Sequence, residues 1–234
     1  MPLDRFGAPI EGFVFVVTYG RSGSTVLQNL LNQFPGYLIR GENHNALRPL
    51  AESWLRLRDS TPLPEHRKTA KITGPTHPWH GAELMDVQSY GHDLAAAFCR
   101  NVLQPGPGTR VVGFKEIRWH KTFAFFETYL NFVYMFFPGT KFVFNTRDFE
   151  GLHKSGWWAN MSEQSVREMK ESSEALFHSY ITKYPDRCCR LHYDACMHDP
   201  GEFERLFQFL DEPYDVSLVN QVLDQRLMHL QKNK

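Results

Sequence analysis

The chain has 234 residues, 42% of them hydrophobic and 22% charged, with Lys plus Arg equal to Asp plus Glu at 26 each. Such a length suits one large domain, residues 1–234, able to bury on the order of 70% of its unfolded surface. A formal net charge of zero lacks the basic footprint of a nucleic-acid binder, so any anion site must be local.

Asp4, Arg5 and Glu11 precede the first apolar run, which argues against a secretory signal or a membrane anchor. The run over 13–17, FVFVV, is β-branched and aromatic and reads as a buried strand, while Val26, Leu27, Leu30 and Leu31 recur at helical spacing. Between them stands Gly-Arg-Ser-Gly-Ser-Thr, a strand-to-helix loop over 20–25. Gly20 and Gly23 permit backbone angles that let successive N–H groups converge at the positive end of the helix, a nest suited to anions. Ser22, Ser24 and Thr25 add hydroxyl donors, and Arg21 adds a planar cation able to make two parallel hydrogen bonds to a phosphate or sulfate edge.

A second short strand is expected over 37–40 and a helix over 45–58. The segment 59–82 carries four prolines and no periodicity, so a long functional loop is expected there. Within it His77, Trp79 and His80 are placed to line a pocket or to stack on a ligand, whereas a zinc site lacks a carboxylate or cysteine partner. A helix over 90–103, a strand in RVVGFK, an aromatic helix over 121–137 and a strand in KFVFNT follow. The stripe Phe123, Phe126, Leu130, Val133 and Phe137 reads as core, and the run from 123 to 137 is too short to span a bilayer. Helices are expected over 148–157 and 163–184, then a last strand, CCRLHY, and two C-terminal helices. Of adjacent Trp157 and Trp158, one is expected in the core and one at the surface.

Strands alternating with helices predict an α/β fold, a three-layer sandwich with a central parallel sheet, whose ligands sit beyond the carboxyl ends of the strands. Three candidate sites fall there. One is the 20–25 loop. Another is FNTRDFEGLHKSGWW, in which Ser155 follows Arg147 by eight residues, roughly 12 Å along a helix and about 80° around it, with Gly151 leaving space between. The third is GFKEIRWH, which brings Lys115, Glu116, Arg118 and His120 to the end of a strand. A ligand with two separated anionic groups explains all three together. Cys99, Cys188, Cys189 and Cys196 show no metal-ligand spacing, and the adjacent pair cannot readily bridge, so a reducing, cytoplasmic setting is expected.

TYGRSGSTVL resembles the phosphosulfate-binding loop of sulfotransferases that use 3′-phosphoadenosine 5′-phosphosulfate (PAPS), and KFVFNTRDFEGLHKS resembles their 3′-phosphate motif. The form Arg-Ser-Gly-Ser-Thr is closest to the bacterial and tyrosylprotein branches. The resemblance implies the P-loop, nucleotide-kinase-like sulfotransferase fold. PAPS is then the donor, with no metal, bound by Gly20, Arg21, Ser22, Gly23, Ser24, Thr25, Arg147 and Ser155. IRGENHNALRPL is similar to the Gly-Glu stretch whose Glu is the general base of tyrosylprotein sulfotransferases, implying that role for Glu42, with Arg21 and Lys115 on the charge of the leaving phosphate. His120 and Glu116, at a strand end that supplies a histidine base in the cytosolic branch, are the alternative bases. RLHYDACMHDPGEFERLFQFL is similar to the closing segment of the family, although Asp194-Ala195 replaces the usual Glu-Asp. The Arg-Lys-Gly triplet of the cytosolic branch is absent, which leaves Arg118 or Lys232 as candidates for a further 3′-phosphate contact.

The expected acceptor is a small molecule or a carbohydrate, with no nucleic-acid and no membrane partner. The segment 59–82 is expected on the acceptor side, and Arg56, Arg58, Arg67, Lys68 and Lys71 read as a solvated face or a docking strip. Two other classes stay open. A P-loop kinase or ATPase shares the strand-loop-helix logic, with Asp148 as a magnesium-holding Asp, but the loop lacks the Gly-Lys-Ser/Thr ending. A nucleotide-binding protein without catalysis is the other.

Overall fold

A computed structural model describes residues 10–60 and 73–232, with side chains left undescribed at 122–123 and 226–232. Arg67, Lys68 and Lys71 therefore lie outside the described residues, as do the side chains of Phe123 and Lys232.

Five strands, β1 (Gly12–Val17), β2 (Tyr37–Arg40), β3 (Val111–Glu116), β4 (Thr140–Thr146) and β5 (Cys188–His192), form one sheet. Its order is β2-β3-β1-β4-β5 and every neighbouring pair is parallel. Because β1 is central and covered on both faces, it is a continuous apolar run rather than an alternating one. Phe13, Phe15 and Val17 point into one core, with Val112, Phe114, Phe142 and Phe144. Val14 and Val16 point into the other, with Ile39, Val143 and Leu191.

The first core is aromatic and is closed by α2 (Leu47–Arg58), α3 (Val87–Phe98), α4 (Phe126–Phe136) and the longer helix that follows β4. Phe15 meets Phe114 edge to face at 5.1 Å between ring centres, a favoured geometry for ring quadrupoles. The second core is closed by α1 (Ser24–Leu31) and by helices at the C-terminal end of the chain. Two helical layers around a parallel sheet are the architecture expected from the sequence. Phe126, Leu130, Val133 and Phe137 of the aromatic stripe are all buried.

Several element boundaries depart from the sequence reading. The helix expected over 90–103 is α3 followed by a wider π turn, Cys99–Leu103, and a 3-10 turn, Trp119–Phe125, precedes α4. The helix expected over 148–157 stops early: α5 covers only Phe149–His153, and a 3-10 turn, Gly156–Asn160, follows. Next comes α6 (Glu163–Lys183), and after β5 three helices rather than two: α7 (Tyr193–His198), α8 (Glu204–Leu210) and α9 (Val216–Lys232). Trp158 is buried and Trp157 half exposed, as expected of the pair.

Candidate active site

The loop between β1 and α1 is held from beneath by the neighbouring strand. Thr18 Oγ1 lies 2.7 Å from both the Asn145 carbonyl oxygen and Ser22 Oγ, and Asn145 Nδ2 donates to the Ser22 carbonyl at 2.8 Å. Arg21 and Gly23 both take left-handed backbone angles, φ +64° and +80°. Gly23 caps α1 without a side-chain hydrogen bond, and no acidic residue stands in the first turn. The Val26 N–H donates back to the Gly23 carbonyl at 2.9 Å, which leaves the Ser24 and Thr25 N–H groups at the positive end of the dipole. Only glycine suits position 23, because a Cβ there would fall 2.0 Å from the Tyr193 ring.

Arg147, just past the end of β4, reaches across to this loop. Its Nη1 donates to the Arg21 carbonyl at 2.9 Å, and its guanidinium carbon sits 4.8 Å from the Tyr193 ring centre. Nε of Arg147 is buried and has no hydrogen-bond acceptor; the nearest carboxylate oxygen recorded for it, on Asp194, is 3.8 Å away. Gly151 does leave space, since a Cβ there would come within 2.9 Å of Arg147 Nε. Ser155 lies beyond the end of α5, which stops at His153; Ser155 is extended (φ −110°, ψ 122°) and Gly156 after it turns left-handed (φ +58°). Its hydroxyl accepts from Arg21 Nε at 2.9 Å. Arg147 and Ser155 thus meet at Arg21 rather than along one helix face.

The third group assembles at the ends of β2 and β3. Lys115, nine-tenths buried, donates to Glu42 Oε1 at 2.8 Å, and Arg118 Nη1 donates to Glu42 Oε2 at 3.0 Å. Burial pushes the Glu42 carboxyl up, but the Lys115 and Arg118 cations outweigh it and hold the carboxyl below its ordinary 4.5. In the donor-free protein the carboxyl is thus held low rather than carried toward neutrality by burial. The basic residues near it in sequence are engaged elsewhere: Arg40 donates to the Leu103 and Gln104 carbonyls, and Arg48 to Glu52.

Arg21, Gly23, Ser24, Thr25, Glu42, Lys115, Arg147 and Ser155 line a single cavity of about 780 Å³. It lies beyond the carboxyl ends of the strands, as the rule for parallel sheets requires. Gly20, Ser22, Glu116 and His120 are not in its lining. The Gly20 carbonyl accepts from Trp158 Nε1 at 2.9 Å, and Ser22 is fully buried against Thr18. His120 is buried, and burial, then the Lys121 charge, pushes it down to about 4. Glu116 has no exposed surface. Arg118 is engaged by Glu42 and Glu116 rather than standing beside Arg147.

Val26, Asn29, Ile117, Trp157, Tyr193 and Gln225 complete the lining and are not site residues on the sequence reading. Asn29 stands one helical turn beyond Thr25, so the face of α1 could have yielded it. Gln225 comes from α9 and carries no local signal.

Among the described residues one group could hold a metal ion by proximity, Asp148, His192 and Asp194, with ligand atoms within 4.8 Å of one another. Its own hydrogen bonds close it: His192 Nε2 is 3.2 Å from Asp148 Oδ1, and Asp194 Oδ2 accepts the Asp148 N–H at 2.8 Å. His77 Nδ1 accepts the Trp79 N–H at 3.1 Å, and the His80 ring meets the Thr73 carbonyl. None of His77, Trp79 and His80 lines the cavity. Residues 61–72 of the segment expected on the acceptor side lie outside the described residues. No helix among the described residues is long and apolar enough to cross a membrane.

A sequence model described as the sulfotransferase family matches residues 14–216. No curated protein matches the chain. Among solved structures, the sulfotransferase domain of the Synechococcus PCC 7002 olefin synthase is similar at 17% identity with a TM-score of 0.57, over 93% of this chain and 80% of that one. The sulfotransferase domain from the curacin biosynthetic pathway is similar at 14% identity with a TM-score of 0.51, over 90% and 77%. Both likenesses are likenesses of fold.

Proposed function

The chain belongs to the sulfotransferase family, and we propose that it transfers a sulfuryl group from PAPS to a hydroxyl of a small-molecule or carbohydrate acceptor, with Glu42 as the general base. One observation carries this reading: the three cations Arg21, Lys115 and Arg147 and the carboxylate of Glu42 line the same cavity. The residues fit the donor. An uncapped helix start suits the 5′-phosphosulfate end. The buried Arg147 Nε without an acceptor is a charged donor of the kind a 3′-phosphate would satisfy.

PAPS supplies an activated sulfuryl group whose departure leaves negative charge on the 5′-phosphate. Arg21 and Lys115 are the residues suited to meet that charge, and fixed cations in a partly enclosed site act there without reorganising. The N–H groups of Ser24 and Thr25, with their hydroxyls, orient the phosphate, while Arg147 and Ser155 set the distance to the second anionic end. Glu42 takes the proton of the acceptor hydroxyl. In the donor-free protein Lys115 is only 2.8 Å from Glu42, so drawing the ammonium toward the donor weakens the pair and raises the basicity of the carboxylate. The proposed setting is the cytoplasm, in keeping with four free cysteines whose thiols burial pushes up.

Incubation with labelled PAPS and a panel of hydroxylated metabolites and sugars, with chelator present and products read by mass, tests the proposal. A sulfated product formed without added metal is expected. Phosphorylated product from ATP and magnesium, with none from PAPS, would place the chain with the phosphotransferases instead.

A further inference from the structure

Glu116 is completely buried at the end of β3, yet its carboxylate meets five donors. Oε1 accepts the backbone N–H groups of Ile117 at 2.8 Å and Arg118 at 3.1 Å, and Arg118 Nη1 at 2.8 Å. Oε2 accepts the backbone N–H groups of Asn45 at 2.7 Å and Asn43 at 3.3 Å. A buried carboxylate persists only when it is paired and hydrogen-bonded, and this one is. Such a group has little capacity left to take a proton from a substrate, and it does not line the cavity.

What it grips is the segment that carries Glu42. His44 and Asn45 adopt φ +59° and +57° in succession, a conformation uncommon outside glycine, and their turn closes onto Glu116. Asn45 is further fixed by Tyr129, whose hydroxyl donates to Asn45 Oδ1 at 2.9 Å. The second grip runs through a side chain. Arg118 Nη1 sits between Glu116 Oε1 at 2.8 Å and Glu42 Oε2 at 3.0 Å.

We propose that Glu116 is a positioning residue that fixes the Glu42 carboxylate from two sides, through the backbone of the turn after β2 and through the Arg118 guanidinium. The role rests on Glu42 being the base, as proposed above. The ionic partners recorded for Glu42 are Lys115 and Arg118, and the one recorded for Glu116 is Arg118. In Glu116→Gln the neutral amide must turn an NH₂ group toward Arg118 or toward the Asn43 and Asn45 N–H groups, donor against donor, so one grip is lost.

The test follows the Glu42 carboxyl carbon by ¹³C NMR across pH, assigned by its loss in Glu42→Gln, in wild type, Glu116→Gln and Arg118→Met. The titration needs no turnover, so it remains informative even if no sulfuryl transfer is found, an outcome that would count against the functional reading alone. Wild-type Glu42 is expected to titrate below its ordinary range and to move up toward it in Arg118→Met, which removes one of its two cations. Glu116→Gln removes a neighbouring negative charge and leaves Arg118 to Glu42 alone, so there the freed turn is read from a changed shift and line width of the Glu42 carbon at fixed pH. Where turnover is measurable, Glu116→Gln is expected to lose roughly 10²-fold in kcat, the scale of a small misplacement at a reacting centre. Its kcat profile should keep an acid limb, and its affinity for 3′-phosphoadenosine 5′-phosphate should stay within about twofold of wild type. If Glu116→Gln does not fold, Glu116→Asp, which keeps the charge but draws the carboxylate back from the Asn43 and Asn45 N–H groups, provides the test through the same carbon resonance and the same loss of kcat. An unchanged Glu42 carbon resonance in the folded Glu116 variants, or a Glu116→Gln profile that has lost its acid limb, would overturn the proposal.

Discussion

Glu42→Gln is expected to lower kcat by about 10²–10⁴-fold, the usual contribution of a general base, while leaving the affinity for 3′-phosphoadenosine 5′-phosphate within about twofold of wild type. The amide keeps the size of the side chain but only one acceptor oxygen, so one of Lys115 and Arg118 retains its partner, and it cannot take the acceptor's proton. Glu42 acts deprotonated, so the wild-type rate falls as pH drops through its pKa. In the donor-free protein Lys115 and Arg118 overcome the effect of burial and hold that pKa below 4.5. Engagement of Lys115 by the donor removes part of that hold, so the acid limb of kcat should lie above the titration midpoint of the free protein. In Glu42→Gln the residual rate should lack this limb. Rate–pH profiles at saturating donor check the result; an unchanged kcat would remove Glu42 from the chemistry.

Lys115→Ala is expected to cost about 10²–10³-fold in kcat, the scale seen when one preorganised charge-stabilising donor is removed. Lys115 is nine-tenths buried at the end of β3, and its recorded ion-pair partner is Glu42. Its loss acts twice. The leaving phosphate loses a cation, and Glu42 loses one of the two groups that keep its pKa low. The rate loss should therefore come with an upward shift of the Glu42 titration in the free protein. Single-turnover kinetics separate the chemical step from product release. A normal single-turnover rate in a folded Lys115→Ala protein would assign the lysine a purely structural pairing with Glu42.

Much of the fold could be read directly from the chain, because the three central strands, β1, β3 and β4, are buried almost throughout and declare themselves as apolar runs between turn signals. The loop after β1 was equally legible, since small residues between a buried strand and an amphipathic helix leave few alternatives. The spacing of Arg147 and Ser155 is legible and both line the cavity, but by another route: the helix stops at His153, and the extended Ser155 reaches Arg21 instead of sharing a helix face with Arg147. The partners of Glu42 were not legible. Arg40 and Arg48 are its basic neighbours along the chain, whereas the pairing is to Lys115 and Arg118, brought alongside by the parallel pairing of β2 with β3. The same register explains Glu116, whose hydrogen bonds to Asn43 and Asn45 span more than 70 residues. Contacts of that separation are set by sheet order, which local patterns do not encode.

The central claim is that one cavity grips a nucleotide at two anionic ends, and calorimetric titration with 3′-phosphoadenosine 5′-phosphate and with adenosine 5′-phosphate tests it most directly. Wild type should prefer the doubly phosphorylated nucleotide by about 10–100-fold, the worth of a charge-assisted contact, and Arg147→Ala should abolish most of that preference while binding adenosine 5′-phosphate normally. Equal affinity of wild type for the two nucleotides, or a preference that survives in Arg147→Ala, would contradict the account.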